Sequence, residues 1–312
     1  MPPKTVERYE RLGSDKFDRM SEEDCEAQYR AMQRARKLAL RPGASLKTGF
    51  QCTLRVVTPP PNPDPQARPL PALPATSDAV VFELVDALRA GVDQRSQVWT
   101  AKIVSVPETL LVLKIIQPSL CPIPHPDNDN DWLYYDHPDD LAPWEAWGYG
   151  KLRSLQGRSI PYFFGSGTIT TPSKEKADVL ILEHIPGPTL YEVALVGPDL
   201  DRQESITAGV QTTEDIFEAG VTRDSLQPSK FILTGPPGAR SVVALSFYMT
   251  YIMRPDSSEK KEMFVNQAAT FIRSFRTVVA DEEEDEEVVE DFYKWVRENV
   301  REDLRKEFSV TK

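Results

Sequence analysis

VSVPETLLVLKIIQPS (104–119) and LAPWEAWGYGKLRSLQGRSIPYFFG (141–165) flank an acidic, proline-punctuated insert, CPIPHPDNDNDWLYYDHPDD (121–140). The first piece reads as a buried strand over Glu108–Gln117, apolar on both sides of one lysine, Lys114. The second reads as a helix from Ala142 or Pro143 to Leu155, with Pro143 in the first turn and Gly157 as its C-cap. A further strand opens at Ile160. An unpaired ammonium in a buried strand is costly, so Lys114 needs an acid. Glu145 shares one face of the helix with Gly148, Tyr149 and Leu152. The alternative is that Lys114 snorkels to solvent at a strand edge. The DNDND run in the insert lacks the glycine and terminal glutamate of a calcium loop and reads as solvated.

Working outward, VVFELVDAL (80–88) and SQVWTAKIV (96–104) read as two antiparallel strands. The connection RAGVDQR (89–95) holds one glycine, Gly91, and reads as a plain hairpin turn. Upstream, SEEDCEAQYRAMQRARKLAL (21–40) reads as a helix capped by Ser21, and Lys47–Val57 as a strand. Residues 58–75 hold eight prolines and read as a polyproline II spacer, with an SH3 or WW ligand as the alternative. Downstream, DVLILEHI (178–185) and SVVAL (241–245) read as strands. LDRQESITAGVQTTEDIFEAG (200–220) reads as a helix with Ile206, Val210, Thr213 and Phe217 as its buried stripe. Lys260–Val279 reads as an amphipathic helix. DEEEDEEVVED (281–291) carries nine acids in eleven residues, ahead of a last helix with Phe292, Trp295, Val300, Leu304 and Phe308 at helical spacing.

Composition narrows the function classes. The 312 residues suffice for a sizeable core. A net charge of −11, with no Lys/Arg run beyond two residues, argues against nucleic acid as partner. Cys25, Cys52 and Cys121 form neither a disulfide framework nor a zinc pattern. No apolar run approaches a membrane span and the N-terminus lacks an apolar leader. The expected location is the cytoplasm or nucleus, with no membrane partner.

In order and spacing, FELVDALRAGVDQRSQVWTAKI (82–103), LLVLKIIQ (110–117), EAWGYGKLRSLQGRSIPYFFG (145–165) and VLILEHIPGPTL (179–190) resemble the eukaryotic protein-kinase-like family, especially compact kinase-like proteins of fungi. The resemblance covers roughly residues 79–250. It implies an α+β, two-lobed fold with a small antiparallel N-lobe sheet and a reduced helical C-lobe. The implied division is 1–78 as an N-terminal extension with a Pro-rich linker, 79–187 as N-lobe and hinge, and 188–312 as C-lobe. It further implies that Glu145 is the acid that pairs with Lys114, and that the two hold ATP phosphates. Adenine would bond the backbone near Glu183–Ile185, with Leu182 in the gatekeeper place.

The family's catalytic pattern H-R-D-x-x-x-x-N falls on GVTRDSLQPSKFIL (220–233). Matching the RD pair keeps Asp224 as base but puts Ser229 where Asn belongs. Matching Pro228 and Phe231 instead puts Arg223 in the histidine place, Ser225 in the base place and Lys230 in the asparagine place. The magnesium aspartate of the family falls on Ser246. From Ser225 to Pro255 no Asp or Glu occurs over 31 residues, so no carboxylate there can hold magnesium in any register. The reading is a pseudokinase, not expected to be an enzyme, with a binding or scaffolding role and an unknown protein partner. ATP is the candidate cofactor; magnesium is not expected and no metal ligand is assigned. The alternative is an active ATP-dependent phosphotransferase, on protein or small molecule, using Asp224.

Overall fold

The computed structural model describes residues 6–8, 21–74, 79–125, 136–197, 199–223, 225–253 and 257–279. Asp224, the DNDND run, Arg254–Pro255, the acidic run and the final helix lie outside them. In chain order the elements are β1 (Val6–Arg8), α1 (Glu22–Ala39), β2 (Gln51–Arg55), β3 (Ala79–Arg89), β4 (Gln97–Ile103), β5 (Val106–Ile116), α2 (Pro138–Lys151), β6 (Phe163–Thr170) and β7 (Lys176–Glu183). After these come α3 (Leu190–Val196), α4 (Asp199–Glu218), β8 (Val221–Arg223), β9 (Phe231–Thr234), β10 (Ser241–Ala244), β11 (Thr250–Met253) and α5 (Ser257–Val279).

Six strands form one antiparallel sheet in the order β2-β3-β4-β5-β7-β6. The sheet curls until its edges meet. Just past β2, the Val57 N–H donates to the Phe164 carbonyl at 2.8 Å, and Leu54 packs where a Cβ on Gly167 would sit 2.9 Å away. The near-barrel is filled by side chains from every strand, among them Leu54, Phe82, Ala101, Leu113, Phe164 and Ile181. Residues 51–57 thus belong to the same folded unit as the strands after residue 79.

Period-two alternation on β5 decides where its lysine goes. Leu111, Leu113 and Ile115 fill the barrel, so Val112, Lys114 and Ile116 face the other way, toward α2 and the second core. Helix α2 starts earlier than expected. His137 is its N-cap, its Nδ1 accepting from the Asp139 N–H at 3.3 Å. Pro143 therefore lies inside the helix. Pro143 has no N–H to offer the Asp139 carbonyl one turn back, and Asp139 is exposed.

The second core joins α3, α4, α5 and strands β8–β11. Strands β1, β11 and β8 form a small antiparallel sheet, and β9 and β10 a hairpin. Helices α4 and α5 meet closely because Gly209 has no side chain: the Phe271 ring occupies the space, 2.1 Å from where a Cβ would be.

The proline-rich stretch is a strap bound to the domain and not a free spacer. Asn62 Nδ2 donates to the carbonyls of Ser154 (3.0 Å) and Gln156 (2.7 Å). Asp64 pairs with Arg158 at 2.8 Å. The Arg68 N–H donates to the Gly157 carbonyl at 2.7 Å, the Tyr162 hydroxyl to the Arg68 carbonyl at 3.0 Å, and Thr109 Oγ1 to the Ala72 carbonyl at 2.9 Å. The stretch turns on itself at one point, the Ala67 N–H donating to the Asp64 carbonyl at 2.9 Å, and the extended proline-rich backbone on either side leaves carbonyls and side chains for the surface beneath.

Candidate functional site

The outward-facing register of β5 and the buried face of α2 bring Lys114 and Glu145 together. The Lys114 ammonium pairs with Glu145 Oε2 and donates to Ser246 Oγ at 3.1 Å. Glu145 is 1% exposed, and its Oε1 has no hydrogen-bond partner. Burial pushes the Lys114 pKa below its ordinary value, against the pull of Glu145. Ser246 holds its place in a left-handed conformation, φ +62°.

This trio opens on a cavity of about 780 Å³. Its walls are the β3–β4 turn with Arg89, Asp93 and Arg95, strand β5, helix α2, the segments around Ser225–Lys230 and Ser246–Met249, and Thr270 and Ser274 of α5. Lys230, Ser225 and Ser246 thus share one cavity with Lys114 and Glu145. Behind it lies Arg223, 3% exposed, with its guanidinium stacked between the rings of Phe231 and Phe247. Arg223 donates to the carbonyls of Leu245 (2.6 Å) and Ser246 (3.0 Å), holding the serine's backbone from beneath. Its pKa is pushed down to about 10 by burial.

The other sequence candidates lie elsewhere. Leu182, Glu183 and Ile185 are buried, and none of them lines this cavity. Leu182 pairs with Val112 across the sheet. The Glu183 carboxylate turns to the strap, taking Arg68 Nε at 2.8 Å and Nη2 at 2.9 Å. The connection after β7 is laid on β9, with the Leu233 N–H donating to the Pro188 carbonyl at 2.9 Å. Gly187 (φ +144°) permits this, since a Cβ there would stand 2.2 Å from the Leu233 carbonyl oxygen. Asp224 is outside the described residues.

Sequence reasoning missed Arg89 and Arg95. The only signal for them was their position at either end of the β3–β4 turn. Arg89 donates to the Ser96 carbonyl (3.3 Å) and hydroxyl (2.8 Å). Its pKa is lowered by burial. Burial, then Arg89 and Lys114, push the Lys230 pKa down to about 8 from 10.5.

That crowding makes a prediction. Lys230→Met keeps the stem and removes the charge, so stability at pH 7 and low salt rises by about 1 kcal/mol, discounted for partial exposure. Between pH 8 and 10.5 the unfolded chain retains a proton that folded Lys230 has lost. Wild-type stability therefore rises with pH in that window, and the gap to the variant closes. Urea midpoints at pH 7 and pH 10 check this; a gap that is absent at pH 7, or that widens with pH, refutes it.

Among the described residues no group of three His, Cys, Asp or Glu side chains is placed to hold a metal ion, and no helix is long and apolar enough to cross a membrane. No family model and no curated protein matches the chain. Among solved structures it is similar to the crystal structure of the BubR1 kinase domain, with a TM-score of 0.40 and 13% identity over 75% of this chain. The match spans 62% of that domain's length.

Proposed function

We propose that the chain is a kinase-fold protein of the pseudokinase kind, two-lobed, which binds ligands or protein partners in the cytoplasm or nucleus and does not transfer phosphate. The observation that carries this reading is the company that Lys114 and Glu145 keep. Where phosphoryl transfer needs a base and carboxylates holding magnesium, the groups around this cavity are Ser225, Lys230 and Ser246. Lys230 brings a cation to that wall at neutral pH. A metal-bound nucleotide would have to approach it without an acid from the whole 225–255 segment. The Lys114–Glu145 pair supports retention of an anion-binding end of the site, with ATP as the candidate cofactor.

The test is phosphate transfer from ATP to the chain itself and to generic protein acceptors, with magnesium and with manganese. The wild type is expected to show none above a no-protein blank. The variant Ser225→Asp/Lys230→Asn/Ser246→Asp restores base and metal ligands, and a gain of transfer there would support a degenerate kinase site. Transfer by the wild type that disappears in Asp224→Asn would overturn the reading in favour of an active phosphotransferase.

A further inference from the structure

The strap contains the run RPLPALP (68–74). A polyproline II helix has three residues per turn, so this run carries three ridges. Arg68, Pro71 and Pro74 share one, Leu70 and Leu73 the second, Pro69 and Ala72 the third. Burial follows that period: Pro69 and Ala72 are exposed, while the other two ridges are half-buried against the domain. Leu70 and Leu73 pack on the barrel core. Arg68 forks onto Glu183, and its carbonyl takes the Tyr162 hydroxyl at 3.0 Å. The domain therefore receives its own proline-rich run with a carboxylate for the arginine, a phenol for a carbonyl and apolar ground for the leucines. A separate domain that recognises Pro-x-x-Pro offers the same chemistry: an aromatic-lined groove and, for a flanking arginine, an acidic pocket.

We propose that residues 68–74 are a latent ligand for a domain of the SH3 type, with an aromatic groove and an acidic pocket, and that the Arg68–Glu183 pair latches the ligand against its own chain. The arginine on the proline ridge selects a groove with an acid at one end. The ridges such a partner grips are the ones turned inward, so docking on the domain and binding the partner exclude each other. Release does not open the sheet. Arg55 and Ala79 are paired across β2 and β3, so the chain between them is a loop whose ends stay fixed when its middle leaves. What opposes release is the loss of the fork on Glu183 and of the donors to the Arg158 and Ile160 carbonyls. A partner that binds only the released form meets an affinity reduced by the released fraction. The assignment goes beyond the pseudokinase reading and does not depend on it, since it concerns a different surface.

Titration calorimetry with an SH3 domain that carries an acidic pocket would compare a synthetic peptide of residues 66–74 with the full chain. The peptide is expected to bind, and Arg68→Ala in the peptide to weaken it about 10-fold or more, the loss of one charge-assisted contact. The wild-type chain is expected to bind at least about 10-fold more weakly than the peptide. Glu183→Gln leaves the ligand sequence untouched and weakens its latch, so it should close most of that gap. Thr109→Val removes the bond to the Ala72 carbonyl at the other end of the run and should move affinity the same way by less. Thermal melts establish that each variant is folded; if Glu183→Gln does not fold, Thr109→Val decides. Absence of peptide binding, or a peptide indifferent to Arg68→Ala, would overturn the ligand assignment. Equal affinity of wild-type chain and peptide would overturn the latch, as would folded variants that bind no more tightly than the wild type.

Discussion

Arg68→Ala lowers the stability of the folded chain by about 3–5 kcal/mol, the cost of leaving a buried ion without its partner. Glu183 is 6% exposed, and Arg68 meets it as a fork, Nε on Oε1 at 2.8 Å and Nη2 on Oε2 at 2.9 Å. The same guanidinium donates to the carbonyls of Arg158 at 2.6 Å and Ile160 at 3.0 Å. Without it, the carboxylate keeps only the Tyr162 N–H, at 3.0 Å from Oε2, and two carbonyls lose a donor. Arg68→Lys should recover little, because an ammonium cannot span both oxygens and both carbonyls. Arg68→Ala/Glu183→Gln should recover part of the loss by removing the orphaned charge. Denaturant midpoints on the three variants decide it. A loss below about 1 kcal/mol, the range of an exposed pair, would mean that water reaches Glu183 and the strap is loosely held.

Splitting the Lys114–Glu145 pair is the second large effect. Glu145→Ala leaves Lys114 facing Arg89 and Arg223, and Lys114→Met leaves a 1% exposed carboxylate without its ammonium. Each single change is expected to cost about 3–5 kcal/mol near neutral pH. The double variant Lys114→Met/Glu145→Leu should regain most of it, since an apolar pair removes both desolvation penalties. The pH dependence of Glu145→Ala follows from linkage. Burial already lowers the folded Lys114 pKa below 10.5, and loss of Glu145 lowers it further. Above that folded value the unfolded chain binds the extra proton, so the variant's stability rises with pH up to about the ordinary lysine value. A double variant no more stable than either single one would show that the ion pair is not the source of the loss.

How much of this was legible in sequence differs from residue to residue. Lys114 was readable because strand periodicity sends it away from Leu113 and Ile115, and a buried ammonium demands an acid. Glu145 was reached as that acid through the family resemblance, which sets a helix glutamate opposite the strand lysine; helix periodicity alone gave only the face it shares with Tyr149. The true start of α2 was not, because a histidine cap on the Pro138 turn resembles no common N-cap signal. Arg68 was hidden for a different reason. Polyproline composition reports local backbone conformation and is silent about a side chain that pairs across 115 positions. Closure of the sheet by residues 51–57 was equally silent, since either edge strand reads the same whether or not the edges meet.

The sequence by itself determined the alternation that fills the barrel, the helical stripes of α4 and α5, and the absence of any carboxylate from 225 to 255. Periodicity and absence are properties of order along the chain, so no fold is needed to read them. Only the tertiary structure decided which charges are balanced. Arg36 finds Asp93, Arg68 finds Glu183 and Lys114 finds Glu145. Ion pairing depends on distance through space and on the dielectric around it, and neither quantity is written in the order of the residues.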